Sequence, residues 1–451
     1  MTTANMNSTA LLFIIYLLAM AGGYWLRSLN LHHLKQHGTE VPTGFAESIN
    51  KEILARTTAY TLEKSRLGLI ESVVNNIILI LFLFGGLISL YDQWIASLSP
   101  SFLVSGLLFF IILALAQTLI EVPFSFYSTF SIENRYGFNT TTKRLWFSDL
   151  GKSTIISLLI LSVLVAAALG SIHMSPEFWW FWLWVFFAVF TIFLMYIAPY
   201  VIEPLFFKFS PITEKNLEDK IMAMMARAKV KVSRVMQVDA SRRSHHANAY
   251  FSGIGRVKKV VLFDTLLKQM TQEEILAILA HELGHWQQGH IRKRLLLIET
   301  AALLSFYLAY RLLAWGGLPG LIGLTQLSLP AQFVILTFLG SLAAFLLTPL
   351  SNWLSRRQEW QADQFGCELS GDPGALASAL IKLSGKNLAN LHPHPLYAKF
   401  YYSHPPVVEH STHAKALPRT LARAVFRPVH ERHAQLPRRR AGCLALGRST
   451  I

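Results

Sequence analysis

Seven stretches of this chain, near 8–26, 67–91, 102–121, 153–172, 178–200, 293–315 and 330–350, run for about 20 predominantly apolar residues each, the sixth alone holding several charges. As helices, each reaches about 30 Å, the thickness of a bilayer's hydrocarbon core. Lipid offers no partner for backbone N–H and C=O groups, so such a chain must close its hydrogen bonds within each span, as helices do. Charged residues make up 15% of the sequence against 53% hydrophobic, a balance far from that of water-soluble domains. The fifth stretch opens on FWWFW, the aromatic cluster of a membrane–water boundary. Residues 1–10 hold no Lys or Arg, whereas a cleaved signal begins with a basic segment, so the first stretch reads as a retained anchor.

Seven crossings put the loops 27–66, 122–152 and 201–292 and the segment from 351 onward on one side. Every Lys and Arg outside the spans lies in that set. By the positive-inside rule this side is cytoplasmic and the N-terminus is outside. One missed or invented span would scatter the charges across both faces. The formal net charge of +15 is largely this signature, and residues 414–451 hold nine basic residues against the single acid Glu431. A basic tail beside a cytoplasmic membrane face suits anionic lipid, and no nucleic-acid partner is expected. Cys367 and Cys443 are the two cysteines, too few for a disulfide framework or a cysteine-based metal cluster.

On the cytoplasmic side lies HELGHW, residues 281–286. The preceding TQEEILAILA lacks Gly and Pro and favours a helix. Residues four apart share a helix face, so His281 and His285 can aim both imidazoles at one metal ion, with Glu282 beside it to take a proton from an attacking water. At this composition an H-E-x-x-H pattern arises by chance with a probability of about 2 per cent, which favours a zinc site over an accident. A hydrolytic zinc site uses three protein ligands. After the seventh span, SNWLSRRQEWQADQFGCELS (351–370) offers Glu359 as the third ligand and Asp363, one turn on, as acceptor for the free N–H of His281. Taken alone, an E-x-x-x-D pair is a solvated helix face; its position on the same side as HELGHW favours the metal reading. His245, His246 and His290 are expected at the surface. Glu299, within the sixth span, is expected to line a polar interior rather than face lipid.

HELGHW, SRRQEWQAD (355–363), NAYFSGIGRVKKVVLFDTLL (248–267), FSIENRYGFNTTTK (130–143) and YYSHPPVVEH (401–410) resemble, in collinear order, the integral-membrane CAAX prenyl protease type I family of zinc metalloendopeptidases. The resemblance implies a mostly α fold: seven transmembrane helices forming a barrel around a water-filled chamber, capped by a cytoplasmic zincin-like catalytic domain with a small β-hairpin. It implies one zinc ion per chain on His281, His285 and Glu359, with Glu282 as general base. NAYF is implied to be an edge strand that pairs with substrate through Asn248, Ala249 and Tyr250, and His404 of SHPP to stabilise the oxyanion. An exposed strand edge can bind a peptide through its main chain, and NAYFSGIGRVKKVVLF reads as two strands about a glycine-containing turn. The family usually carries an arginine where this chain has His410.

The expected organisation is residues 1–200 for spans one to five, 201–292 for the first part of the catalytic domain, 293–350 for spans six and seven, 351–413 for its second part, and 414–451 for a divergent basic tail. The implied reaction removes the C-terminal tripeptide of a prenylated CAAX protein. Alternative readings are a bacterial quality-control protease acting on unprenylated membrane proteins, and a catalytically silent scaffold or transporter. Expected partners are a peptide or lipidated protein substrate and membrane lipids. The expected location is the bacterial inner membrane, or the endoplasmic reticulum in a eukaryote.

Overall fold

The computed structural model describes residues 3–46, 49–253 and 257–417. The first helices are α1 (Thr3–His37), α2 (Lys51–Leu83), α3 (Leu87–Leu98), α4 (Phe102–Tyr127), α5 (Lys143–Met174), α6 (Trp179–Ile197) and α7 (Glu203–Phe206). A mixed α/β segment follows with β1 (Phe209–Pro211), α8 (Lys215–Arg227), β2 (Lys231–Val238), β3 (Ala249–Ser252), β4 (Val257–Phe263), α9 (Asp264–Gln269) and α10 (Gln272–Gln287). The chain then returns through α11 (His290–Trp315) and α12 (Leu329–Ser370) and ends in α13 (Pro373–Lys386), α14 (Pro395–Tyr401) and α15 (Val407–Ala416). The expected tail therefore begins as the end of α15, and the rest of it, with Cys443, lies outside the described residues.

Among the described residues, seven helices have the length and apolarity to cross a bilayer: α1, α2, α4, α5, α6, α11 and α12. The second crossing differs from the expected 67–91, because α2 stops at Leu83 and Gly86, at φ 79°, starts the separate α3. Ile88 and Ile95 bury α3 against the ends of its neighbours, so its apolar residues extended the hydropathic stretch without extending the span. Contacts between spans run α1–α2–α4–α5–α6–α11–α12 and back to α1, which closes a ring. Seven helices at about 9–10 Å spacing on an ideal circle would have a radius of roughly 10–11 Å and room for a hollow about 10 Å across, which a contact of α4 with α12 across the ring, near Gly106 and Pro330, closes at one end. At most 11% of the apolar window of any span is buried by protein, as a ring with lipid on one face and a cavity on the other requires.

Glu299 lies where α11 meets α6: its backbone carbonyl accepts from Trp184 Nε1 at 3.0 Å, and Thr191 of α6 is a hydrogen-bonding neighbour of its carboxyl group.

The 42 residues of α12 extend for about 63 Å, roughly twice the hydrocarbon core. It crosses the membrane and carries Glu359 and Asp363 beyond it without a break, so the ligand-bearing segment is the end of the seventh span rather than a second helix. The expected hairpin belongs to a larger sheet, with order β1-β2-β4-β3. β3 and β4 pair antiparallel, β2 runs parallel to β4, and β1 closes the far edge. With three residues and a terminal proline, β1 carries too short a pattern to read from sequence.

Beneath the sheet, α10 buries Ile275, Leu279 and Leu283 with Leu217, Ile221 and Met224 of α8. Its other flank presses on α12 so closely that the two backbones touch. A Cβ on Gly284 would lie 2.8 Å from the Ala362 carbonyl oxygen, and one on Gly366 would lie 2.9 Å from His281 N. Neither backbone neighbour can swing aside. Gly284→Ala is therefore expected to force the helices apart, lowering stability by about 1–3 kcal/mol and reducing bound zinc. Thermal unfolding and metal content check it; a variant that melts and binds zinc like the wild type would remove this contact as a constraint.

Candidate metal centre

α10 begins in a capping box, where Thr271 Oγ1 accepts from Glu274 N and the Glu274 carboxylate accepts from Thr271 N. Ser378 Oγ and Lys382 Nζ of α13 donate to the same carboxylate at 2.6 and 3.0 Å, which ties the helix start to the domain. Two turns later His281 and His285 emerge on the face that meets α12. Their Nε2 atoms lie 3.3 Å apart. Glu359 completes the group, with Oε2 3.4 Å from His281 Nε2 and Oε1 3.4 Å from His285 Nε2.

These separations discriminate between a hydrogen-bonded cluster and a metal site. A tetrahedron with bonds of about 2.0–2.1 Å has edges of about 3.3–3.4 Å. Glu359 is buried, at 5% exposure, and a buried carboxylate needs compensation; here imidazole nitrogens alone surround it, His281 and His285 at 3.4 Å and His404 Nδ1 at 3.0 Å. Two nitrogens and a carboxylate oxygen around one point are a fitting donor set for zinc. His281, Asp363 and His410 form a second cluster capable of holding a metal. Its contacts are shorter, 2.8 Å from His281 Nδ1 to Asp363 Oδ1 and 2.7 Å from His410 Nε2 to Asp363 Oδ2. Those are lengths of charge-assisted contacts rather than coordination edges.

The hydrogen bonds behind the imidazoles set which nitrogen is free. Asp363, fully buried, accepts from His281 Nδ1, leaving the Nε2 lone pair to face the centre. His290 Nε2 donates to Gln361 Oε1 at 2.9 Å, so in neutral His290 the Nδ1 is an acceptor; it takes the proton of His285 Nδ1 at 3.1 Å. His285 Nε2 is thereby freed as well. His290 is thus a buried support for the site and not a surface residue. The helix breaks at Gly289, with φ 68°, and α11 restarts at His290 in a new direction, so spacing on a single continuous helix misplaces it. A second histidine after a glycine close behind HELGHW was the available signal.

Glu282 and His404 also converge here. Burial pushes the Glu282 carboxyl above the usual carboxylate range, against the lowering effect of His281 and His285. His404 enters from the loop before α15 and places Nδ1 3.0 Å from Glu359 Oε2. The contact with Glu359 raises its pKa, while burial opposes the rise.

β3 is an edge strand with one side open. Phe263 N donates to Asn248 O, and Ala249 opposes Leu262. Antiparallel pairs alternate between bonded and non-bonded, so Asn248 and Tyr250 direct their backbones to β4 while Ala249 and Phe251 direct theirs outward. Of the three expected strand residues, Ala249 therefore carries outward main-chain groups, and Phe251, absent from the expectation, shares its direction. The Asn248 side chain accepts from Ala249 N at 2.8 Å, and Tyr250 Oη donates to Glu203 Oε2 at 2.9 Å. The segment leading into β3 is clamped to the membrane helices: Phe138 stacks on His246 at 4.5 Å, and Arg243 pairs with Asp149 at 2.8 Å. His246 also contacts Asn387 Oδ1 at 3.0 Å and faces Glu133 Oε2 at 3.7 Å. It is therefore half-buried in a junction, rather than a free surface histidine.

Residues 30–208 match the family described as CAAX prenyl protease N-terminal, five membrane helices, and residues 211–417 match peptidase family M48. The CAAX prenyl protease 1 homolog of Arabidopsis thaliana is 32% identical over 82% of this chain and 89% of its own length. The human homolog is 31% identical over 82% and 88%, and an uncharacterised metalloprotease of Bacillus subtilis, YhfN, is 30% identical over 80% and 85%. The crystal structure of S. mikatae Ste24p superposes with a TM-score of 0.81 at 28% identity, covering 89% of this chain and 98% of that one.

The proton chain through His290 has a direct test. His290→Ala is expected to weaken zinc binding about tenfold or more, the usual cost of losing support behind a ligating histidine. Competition against a chromogenic chelator measures it, and unchanged affinity would show that His285 keeps its tautomer without His290.

Proposed function

The chain belongs to the CAAX prenyl protease type I family of M48 peptidases, a multi-pass membrane zinc metalloendopeptidase, and we propose that its reaction centre is the cluster of His281, His285, Glu359 and Glu282. The observation that carries this reading is the triangle of ligand atoms 3.3–3.4 Å apart that two imidazole nitrogens form with the buried Glu359 carboxylate. Residues 201–292 and 351–413 then form two halves of one catalytic unit, joined by a membrane excursion through α11 and α12. By the distribution of basic residues, this unit faces the cytoplasm.

Zinc held by His281, His285 and Glu359 would polarise the scissile carbonyl and make the attacking water more acidic. Glu282 takes the proton of that water and returns it to the leaving amine. Its elevated proton affinity, caused by burial, suits a group that must both accept and release a proton. Asp363 and His290 act behind the ligands and keep each Nε2 unprotonated. His404 stands beside Glu359 and is the donor available to the developing oxyanion. A peptide lying along β3 pairs with the outward groups of Ala249 and Phe251, displacing the Asn248 side chain from Ala249 N, and so presents its carbonyl to the centre.

The substrate proposed is a prenylated protein whose C-terminal tripeptide is removed. Support comes from the relatives, named CAAX prenyl proteases, and from the hollow ring beside the site, which suits a lipidated chain end. Glu282→Gln is expected to retain one zinc per chain while cleavage of a farnesylated CAAX peptide in detergent falls by at least about 100-fold. Persistent cleavage would end the assignment of Glu282 as base. In the wild type, cleavage of the unprenylated peptide at an equal rate would favour a general membrane-protein protease.

A further inference from the structure

Asp363 is the most enclosed polar residue of the centre, with no solvent exposure, yet the contact to His281 engages only its Oδ1. Oδ2 faces the Nε2 of His410 at 2.7 Å, an ion-pair distance, and neither atom makes a well-aligned hydrogen bond to any other group. His410 is itself 95% enclosed, at 5% exposure, and comes from α15, the last described helix. Trp360 of α12 braces it edge-on, with rings 5.7 Å apart at 85°, and also packs on His413 at 4.4 Å.

A carboxylate held by one oxygen can turn about its Cβ–Cγ bond, and a buried oxygen left unmatched is costly. A donor from a second helix, set against the other oxygen, removes both problems. It fixes the carboxylate plane and so the direction of the His281 imidazole. We propose that His410 is a positioning residue for the zinc centre, acting through Asp363 on His281. The inference rests on the metal reading of His281, His285 and Glu359. It goes beyond that reading by assigning the C-terminal helix α15 a part in holding the metal. The basis is chemical: a histidine N–H and an arginine guanidinium both donate to a carboxylate, so either side chain at this position can perform the task.

The experiment uses the full-length protein in detergent and compares the wild type with His410→Ala, His410→Gln, His410→Arg and His413→Ala. Zinc affinity is read by chelator competition, the first coordination shell by zinc X-ray absorption, and folding by thermal unfolding. The expected result is a loss of about tenfold in affinity for His410→Ala, with an unchanged first shell. His410→Arg should restore most of the affinity, and His413→Ala should match the wild type. If His410→Ala fails to fold, His410→Gln, which keeps one neutral donor, carries the test and should fall between Ala and wild type. Wild-type affinity in the Ala or Gln variant overturns the proposal, as does an equal loss in His413→Ala, which would mean that helix packing alone matters. A second zinc equivalent in the wild type that His410→Ala removes also overturns it, by making His410 a ligand. A wild type that binds no zinc instead fails the underlying reading, whereas zinc binding with an indifferent His410→Ala fails this inference alone.

Discussion

The contact on which the site depends is the bare backbone approach of α10 to α12 through Gly284 and Gly366. No side chain separates the two helices there, and that absence brings a carboxylate from one within 3.4 Å of two imidazoles on the other. A Cβ on either glycine would meet the facing backbone at 2.8–2.9 Å and push the two ligand-bearing helices apart. The same seam fixes Asp363 behind His281, since both lie within one turn of the touching glycines. Membrane and site are joined through it. α12 is one rod from the seventh span to Ser370, and two residues, Gln288 and Gly289, separate the end of α10 from the start of α11.

Charge explains why so polar a cluster is stable at the end of a hydrophobic barrel. Glu359 and Asp363 are buried within a single turn of each other, and buried carboxylates repel and are costly to desolvate. Their neighbours His281, His285, His290 and His410 can donate only as many protons as their tautomers permit. With both Nε2 atoms turned inward as acceptors, the triangle presents lone pairs and negative charge to one point. A divalent cation held there would supply the missing positive charge, and its binding would reinforce folding of the surrounding helices.

Much of this was legible along the chain because the information was local or one-dimensional. Seven apolar runs and one-sided basic residues define crossings without knowledge of packing. His281, Glu282 and His285 share a helix face by spacing alone. Glu359 and Asp363 were readable as a candidate pair only because topology put them on the same side of the membrane as HELGHW, and it is packing that brings them into register with it. What the chain hid was of three kinds. His290 needed the change of direction at Gly289, which breaks the helical spacing used to place it. Phe251 needed the pairing parity of β3 with β4, which the turn alone does not determine. α3 needed the break at Gly86, since its apolar residues continue the hydropathic run of α2 without continuing the helix.

The arrangement of the ring and the edge strand follows from one requirement. For the substrate proposed, a peptide bond would have to reach a polar, water-supplied centre while its prenyl group stays out of water. An edge strand within the membrane would leave its unpaired backbone groups in lipid, which is prohibitive. A site far from the membrane would expose the prenyl chain along the whole approach. The fold sets β3 just beyond the spans, with its lead-in segment clamped by Phe138, Asp149 and Glu133 to the ends of α2, α4 and α5 on the side of the metal centre. The strand therefore cannot drift relative to the hollow. That rigidity converts a sequence block around residues 130–143, which carries no catalytic group, into a determinant of where the scissile bond sits.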